Sequence, residues 1–276
     1  MNTIKNGDIL LVMKRLKIKD IHNMKNKQSI VCLTSYTKSI TLSIDKYVDI
    51  LLIGDSLGST IYGMKNTRSV NLEMMKIHGK IVFEASKKPF TIIDMPYKSY
   101  ENEKIAYKNA MDLLNYTKCQ SIKIETKSKH IKIVKYLTKK GINVVSHIGV
   151  TPQSYSDFSK IKVAGKTDEE KNKLLDLAFR LEDAGSKLLL LECVVTDVAR
   201  EITSKIKIPT IGIGSSKYCD GQVLVIDDML GIKSTFKKPK FVKIYGNLSS
   251  QITNSVKKYA SDVKKKKFPT IKYSYK

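Results

Sequence analysis

A (β/α)8 TIM barrel, eight parallel strands each followed by a helix, is the fold this sequence predicts. Three observations lead to it. From Ser29 onward short apolar runs alternate with longer amphipathic ones. Five of those runs end in an ionisable residue: Asp55, Asp94, Glu125, His147 and Glu192. No internal repeat, low-complexity stretch or Pro/Gly-rich hinge divides the chain, which points to a single domain.

Residues 1–28 are polar and weakly periodic and read as a lead-in segment, with a short helix expected around Ile9 to Leu16. Residues 29–276 read as the barrel domain. Strands are expected at Ile30 to Thr34, Ile50 to Gly54, Phe90 to Asp94, Ile122 to Glu125, Val144 to His147, Leu188 to Glu192, Thr210 to Ile213 and Val223 to Ile226, as short apolar runs bounded by turn residues. Between them, Leu72 to Phe83, Ile105 to Leu114, Ile131 to Leu137 and Asp168 to Ala184 carry apolar residues at helical spacing, and Gly141 and Gly185 are natural stops for the last two. A C-terminal helix and a basic tail around Lys264-Lys265-Lys266-Lys267 complete the chain. A doubly wound open sheet is the competing arrangement. It is disfavoured because no Gly-x-Gly-x-x-Gly follows the first strand, and because an open sheet would spread polar strand ends that a barrel gathers on one rim.

Composition narrows the function classes. Apolar residues at 42% with 28% charged describe a globular protein, and no apolar run approaches a membrane span. The first residues lack the order of a signal peptide, so a cytoplasmic location is expected. Cys32, Cys119, Cys193 and Cys219 form no CxxC pair and read as reduced, buried thiols. The net charge of +24 invites a nucleic-acid function, but only Arg15, Arg68, Arg180 and Arg200 are arginines, the lysines are spread along the chain, and no nucleic-acid-binding motif accompanies them. A solvated lysine-rich surface is the better reading.

The rim residues suggest chemistry. Acids ending neighbouring strands repel one another unless a cation sits among them, and an all-oxygen set selects a hard ion such as Mg²⁺. Each acid alone could instead cap a helix or pair with a lysine. Lys123 lies two residues before Glu125, hence on the same strand face; it reads as a partner for a substrate carboxylate or developing enolate, or as half of a buried ion pair. His147, ahead of a turn-rich stretch from Ile148 to Ser154, is either a hydrogen-bond donor to substrate or structural. Glu192 follows four leucines, a setting that desolvates a carboxylate and suits a general base. His22, His78 and His130 show no metal-ligand spacing.

With these residues in place, the sequence from about Ser29 to Pro269 resembles the ketopantoate hydroxymethyltransferase family. The blocks that carry the resemblance are Gly54-Asp55-Ser56-Leu57-Gly58, Asp94-Met95-Pro96, Lys123-Ile124-Glu125, His147-Ile148-Gly149-Val150-Thr151-Pro152-Gln153-Ser154, Leu191-Glu192-Cys193-Val194, Ile211-Gly212-Ile213-Gly214 and Asp220-Gly221-Gln222-Val223-Leu224-Val225. The resemblance implies a barrel of the phosphoenolpyruvate-mutase type assembled as a homo-oligomer, a decamer. It implies one Mg²⁺ per subunit held at Asp55, Asp94 and Glu125, and substrate contacts from Asp55, Ser56, Asp94, Lys123 and His147. Glu192 matches the general base that forms an enolate of 3-methyl-2-oxobutanoate, which takes a one-carbon unit from the co-substrate 5,10-methylenetetrahydrofolate. A related C–C lyase is a weaker match, because the reactive Lys-Cys-Gly-His-type loop of those enzymes is absent. The sequence departs from the family at Thr37, Met64, Thr126, Lys127, Ser146, Ser215 and Ser216, and loss of glycine at several of these would move a loop wherever the backbone needs positive φ.

Overall fold

The apolar runs are strands, and each stays short because a polar or turn-forming residue ends it. In the computed structural model, which describes residues 14–157, 160–232 and 238–275, they are β1 (Ile30–Thr34), β2 (Ile50–Ile53), β3 (Phe90–Asp94), β4 (Ser121–Glu125), β5 (Val144–Gly149), β6 (Leu188–Glu192), β7 (Thr210–Ile213) and β8 (Gly221–Leu224). All are parallel and close in sequential order into a barrel. The chain divides into two compact units, Met1–Val223 and Leu224–Lys276, a boundary that no change of composition marks.

The helices of the first unit are α1 (Ile18–Met24), α2 (Lys38–Ile44), α3 (Leu57–Thr60), α4 (Leu72–Ala85), α5 (Glu103–Thr117), α6 (Ile131–Lys139), α7 (Asp168–Asp183) and α8 (Thr196–Lys205). Side-chain caps start several of them: Asn71 accepts from Met74 N at α4, Asn102 from Ile105 N at α5, and Thr167 from Glu170 N at α7. The expected stops are glycines with left-handed backbone, Gly141 at φ 81° and Gly185 at φ 92°.

Strand register explains what fills the barrel. Phe90 pairs with Ile50, Ile92 with Leu52, and Leu190 with His147, so alternate residues of neighbouring strands share the inner face. Toward the amino ends that face is apolar: Ile30, Cys32, Ile50, Leu52, Phe90, Ile92, Val145, Leu188, Leu190, Ile211 and Val223 form one cluster with Ile21 and Met24 of α1. Each fully buried large side chain there contributes about 1.5–3 kcal/mol. The lead-in is therefore partly structural, with α1 seated against the barrel's amino end. The helix expected at Ile9 to Leu16 falls on residues 9–13 outside the described ones, and Lys14 to Leu16 are not helical. A seven-residue helix burying only Ile21 and Met24, at i and i+3, is too short to announce its period.

The last strand also departs from expectation. It is Gly221–Leu224 rather than Val223 to Ile226, and Ile226 opens helix α9 (Ile226–Met229) instead. Closure of the barrel decides this. Gly221 pairs with Ile211, and a Cβ on it would stand 2.5 Å from the Ile30 carbonyl oxygen, so only glycine brings this strand close to β1. The second unit further holds α10 (Leu248–Lys264), none of whose residues is buried. Tyr245 N donates to Met229 O at 2.8 Å and Leu248 N to Leu230 O at 3.0 Å, tying the approach to α10 onto the end of α9. Among the described residues no helix is long and apolar enough to cross a membrane.

A buried ion pair fastens α1 to the closing turn. Lys25 Nζ lies 2.7 Å from Asp220 Oδ2, with side chains 9% and 6% exposed. The same oxygen accepts from Thr210 N at 2.8 Å, and the Asp220 carbonyl accepts from Ile30 N at 2.8 Å. Asp220→Ala strands the lysine charge and is expected to lower the unfolding free energy by about 3–5 kcal/mol, read from urea denaturation; a loss below about 1 kcal/mol would contradict this role for the pair.

Candidate active site

The inner face changes character in its last layer. Asp94 pairs in register with Lys123, and Glu125 with His147, so these four side chains follow the apolar cluster outward along the same face, and Glu192 ends β6 beside Gly149. Asp55 follows β2 by way of Gly54. A Cβ on Gly54 would stand 2.8 Å from Ser56 Oγ, so glycine leaves room for the turn that carries Asp55 and Ser56.

These groups form a continuous line of contacts. Asp55 N donates to Asp94 Oδ2 at 3.0 Å, and Lys123 Nζ lies 3.2 Å from the same oxygen. Lys123 Nζ is 3.4 Å from His147 Nδ1, and His147 Nε2 is 3.3 Å from Glu192 Oε2. The lysine ammonium can only donate, so Nδ1 is the acceptor and the ring carries its proton on Nε2, toward Glu192. That last contact is close in distance without being a directed hydrogen bond. His147 therefore stands between the lysine and the glutamate. Ser56 Oγ lies 2.7 Å from Tyr36 Oη.

Gln153 is the residue whose role the sequence did not reveal, although it lies inside a recognised block. Its backbone N donates to both oxygens of Glu125, at 3.2 and 3.0 Å. Its side-chain Nε2 donates to Asp55 Oδ2 at 2.8 Å and to Met95 O at 3.0 Å, and its Oε1 accepts from Tyr100 Oη at 2.5 Å. One residue thereby holds two carboxylates from different strand ends. Only its position in the turn after β5 hinted at this, since a glutamine that spans two strand ends has no local pattern.

Charge is unbalanced here. Burial first, and then repulsion from Asp94, raise Asp55 to about 7. Burial likewise raises Asp94, against the pull of Lys123, and holds Glu125 well above the carboxylate range. Burial alone would lower Lys123, but Asp94, Asp55 and Glu125 reverse this and keep it charged. Burial, then Lys123, lower His147 and keep it neutral. Glu192 is the more accessible end of the line, its side chain 17% exposed against 2% for His147.

Among the described residues no three His, Cys, Asp or Glu side chains stand as a preformed metal cage. The donor set still fits a hard divalent cation in two respects. Asp94 Oδ1 is buried without a partner, and three neighbouring carboxylates face a single ammonium, a deficit of positive charge. A cation of the Mg²⁺ kind takes only one or two carboxylates and completes its shell with water or substrate, so it needs no three-sided cage.

The backbone beside Glu192 is shaped to match. Gly149 has φ 93°, and a Cβ there would stand 2.3 Å from the Glu192 carbonyl oxygen. Cys193 adopts φ 49°, rare for a residue with a side chain, as the chain turns away after Glu192. None of the four cysteines is in a disulfide, and all but the half-buried Cys193 are buried. The departures from the family pattern are accommodated. Thr126, Lys127, Ser146, Ser215 and Ser216 are absent from the left-handed residues, so none needs glycine. Thr126 N and Oγ1 donate to the His147 carbonyl at 2.7 and 2.9 Å. Ser215 Oγ accepts from Val194 N at 3.0 Å and donates to Leu191 O at 2.9 Å, bracing the end of β6. Thr37 caps α2 by accepting from Ile40 N, and Met64 N donates to Gly58 O at 2.8 Å.

Ionisable side chains gathered at the carboxyl rim of a (β/α)8 barrel place the protein among barrel enzymes, whose active sites lie at that end. Solved structures of similar fold include phosphonopyruvate hydrolase in complex with oxalate and Mg²⁺, at TM-score 0.60 and 8% identity over 93% of this chain and 92% of that one. Another is 2,3-dimethylmalate lyase, a PEP mutase/isocitrate lyase superfamily member, at TM-score 0.53 and 12% identity over 92% and 88%. The chain belongs to the ketopantoate hydroxymethyltransferase family, whose model matches residues 15–271. It is 45% identical to the 3-methyl-2-oxobutanoate hydroxymethyltransferase of Pelagibacter ubique (strain HTCC1062), over 94% of this chain and 99% of that protein. It is 44% identical to the enzyme of that name from Helicobacter pylori (strain ATCC 700392 / 26695), over 95% and 97%.

Asp55 yields a test with a definite sign. A carboxyl that stands at about 7 when folded, above its ordinary value of 3.8, binds its proton more tightly folded than unfolded, so its contribution to stability falls as pH rises through that window. Chelator-treated Asp55→Asn is expected to be more stable than the unaltered chain at pH 8 by up to about 4 kcal/mol, with the gap closing toward pH 4. Denaturation midpoints across that range check it, and a variant less stable at every pH would contradict it.

Proposed function

We propose that this chain transfers a hydroxymethyl group from 5,10-methylenetetrahydrofolate to 3-methyl-2-oxobutanoate, giving 2-dehydropantoate and tetrahydrofolate. The observation that carries the proposal is the contact line from Asp94 through Lys123 and His147 to Glu192, with separations of 3.2, 3.4 and 3.3 Å, in a chain of this family. It offers a charged group for the acid end of a 2-oxo acid and a carboxylate base a short distance away.

On this reading Asp55, Ser56, Asp94 and Lys123 orient the keto acid, and Asp55, Asp94 and Glu125 would hold one Mg²⁺ per subunit. The bound cation supplies Lewis-acid stabilisation of charge developing on the ketone oxygen. Glu192 removes the proton from the carbon beside the ketone. His147, its Nε2 3.3 Å from Glu192, is the polar neighbour of that base, and Lys123 offsets the growing negative charge of the enolate. Water cleaves the C–N bonds of the donor's one-carbon unit, releasing tetrahydrofolate and leaving formaldehyde; the carbanionic carbon adds to that carbonyl carbon, and its oxygen takes up a proton to become the hydroxyl of the product. Assembly as a homo-oligomer, a decamer by family resemblance, belongs to the same proposal.

Proton exchange isolates the first step from the folate. With Mg²⁺ and 3-methyl-2-oxobutanoate in D₂O, the protein is expected to exchange the C3 proton, and Glu192→Gln to slow exchange by at least about 10²-fold. Normal exchange in that variant would remove Glu192 from its role. A second measurement concerns Gln153→Leu, which frees Asp55 from its amide; a KM for the keto acid raised about tenfold with the fold intact is expected, and an unchanged KM would show that Asp55 needs no such support.

A further inference from the structure

We infer that the cavity outside Glu125 is a subsite for a chain of carboxylates, the oligo-γ-glutamyl tail of the one-carbon donor. The inference rests on the reaction proposed above and extends it to the end of the donor remote from the chemistry. The cavity has a volume of about 490 Å³, with Glu125 and Gln153 in its wall. Arg68, Lys98, Lys127 and Lys129 also line it, against Glu101 as the one acid besides Glu125. Among the described residues none of these four cations has a carboxylate within 4.0 Å, although several other lysines of the chain are paired.

A lysine-rich chain puts lysines beside any hollow, so their number alone says little. Two features distinguish this group. Arg68 is one of only four arginines, and its guanidinium is fixed 4.3 Å over the Tyr97 ring while donating to the Tyr97 hydroxyl of that neighbour. Lys127 and Lys129 stand on the short turn directly after Glu125, and both are exposed. The turn therefore presents two ammonium groups without carboxylate partners to the cavity. The residues proposed to hold the keto acid, Asp55, Ser56, Asp94 and Lys123, do not line this cavity; a donor with several carboxylates at its far end can place them here, and each can meet a cation that has no carboxylate partner of its own.

The test compares 5,10-methylenetetrahydropteroyl monoglutamate with the pentaglutamate, using the full chain with Mg²⁺ and saturating keto acid. Several exposed ion pairs acting together predict a KM about tenfold lower for the pentaglutamate at low salt, with the ratio falling toward one as salt rises to about 0.3 M. The Lys127→Gln, Lys129→Gln double variant is expected to bring the ratio toward one even at low salt; both side chains are exposed, so folding is not at stake. A ratio near one in the unaltered chain, or one that survives the double substitution, would overturn the subsite while C3 proton exchange without folate still supports the reaction. Absence of that exchange would instead sink the reaction, and the subsite with it.

Discussion

Three buried carboxylates share one buried lysine, and most of the site follows from that arrangement. Asp55, Asp94 and Glu125 come from different strand ends and would repel one another in any environment of low polarity. The protein tolerates this in two ways. Lys123 stays charged among them, and amide donors are supplied where oxygens would otherwise go unmet: the Gln153 backbone for Glu125, its side chain for Asp55, the Asp55 backbone for Asp94. What is left over is an unmet oxygen on Asp94 and a deficit of positive charge. On the proposed reading, that remainder is what a cation and an anionic, chelating molecule would meet.

The rest of the barrel makes such a rim affordable. Beneath the charged layer an apolar cluster fills the inner face, running from Phe90 and Ile92 to Leu188 and Leu190, and α1 extends it with Ile21 and Met24. Destabilising repulsion confined to the rim is set against burial distributed over the whole interior. Gly221 and Asp220 complete the closure, one by having no side chain and the other by meeting Lys25 and Thr210.

Much of this was legible from residue order, for a physical reason. A parallel strand buried on both faces is a short apolar run, and the first polar residue after it marks the carboxyl end, so Asp55, Asp94, Glu125, His147 and Glu192 announced a common rim. What escaped reading depends on contacts between distant segments. Gln153 reaches back 98 positions of sequence to Asp55 while also holding Glu125, and the tautomer of His147 depends on a lysine from the neighbouring strand. The last strand was misplaced because Gly221 and Gln222 have little strand propensity and are strand only through pairing with Ile211 and Gly212.

Because apolar side chains pack the barrel's interior and α1 lies against its amino end, the charged layer opens only at the carboxyl rim. Whatever reaches the line from Asp94 to Glu192 enters and departs by one mouth. On the proposed reaction, the keto acid sits among the deepest groups and the bulkier folate nearer the opening, so the small molecule has to arrive first and its product has to wait for the spent donor to leave. Depth alone then imposes an order of binding and release, without any moving part to enforce it.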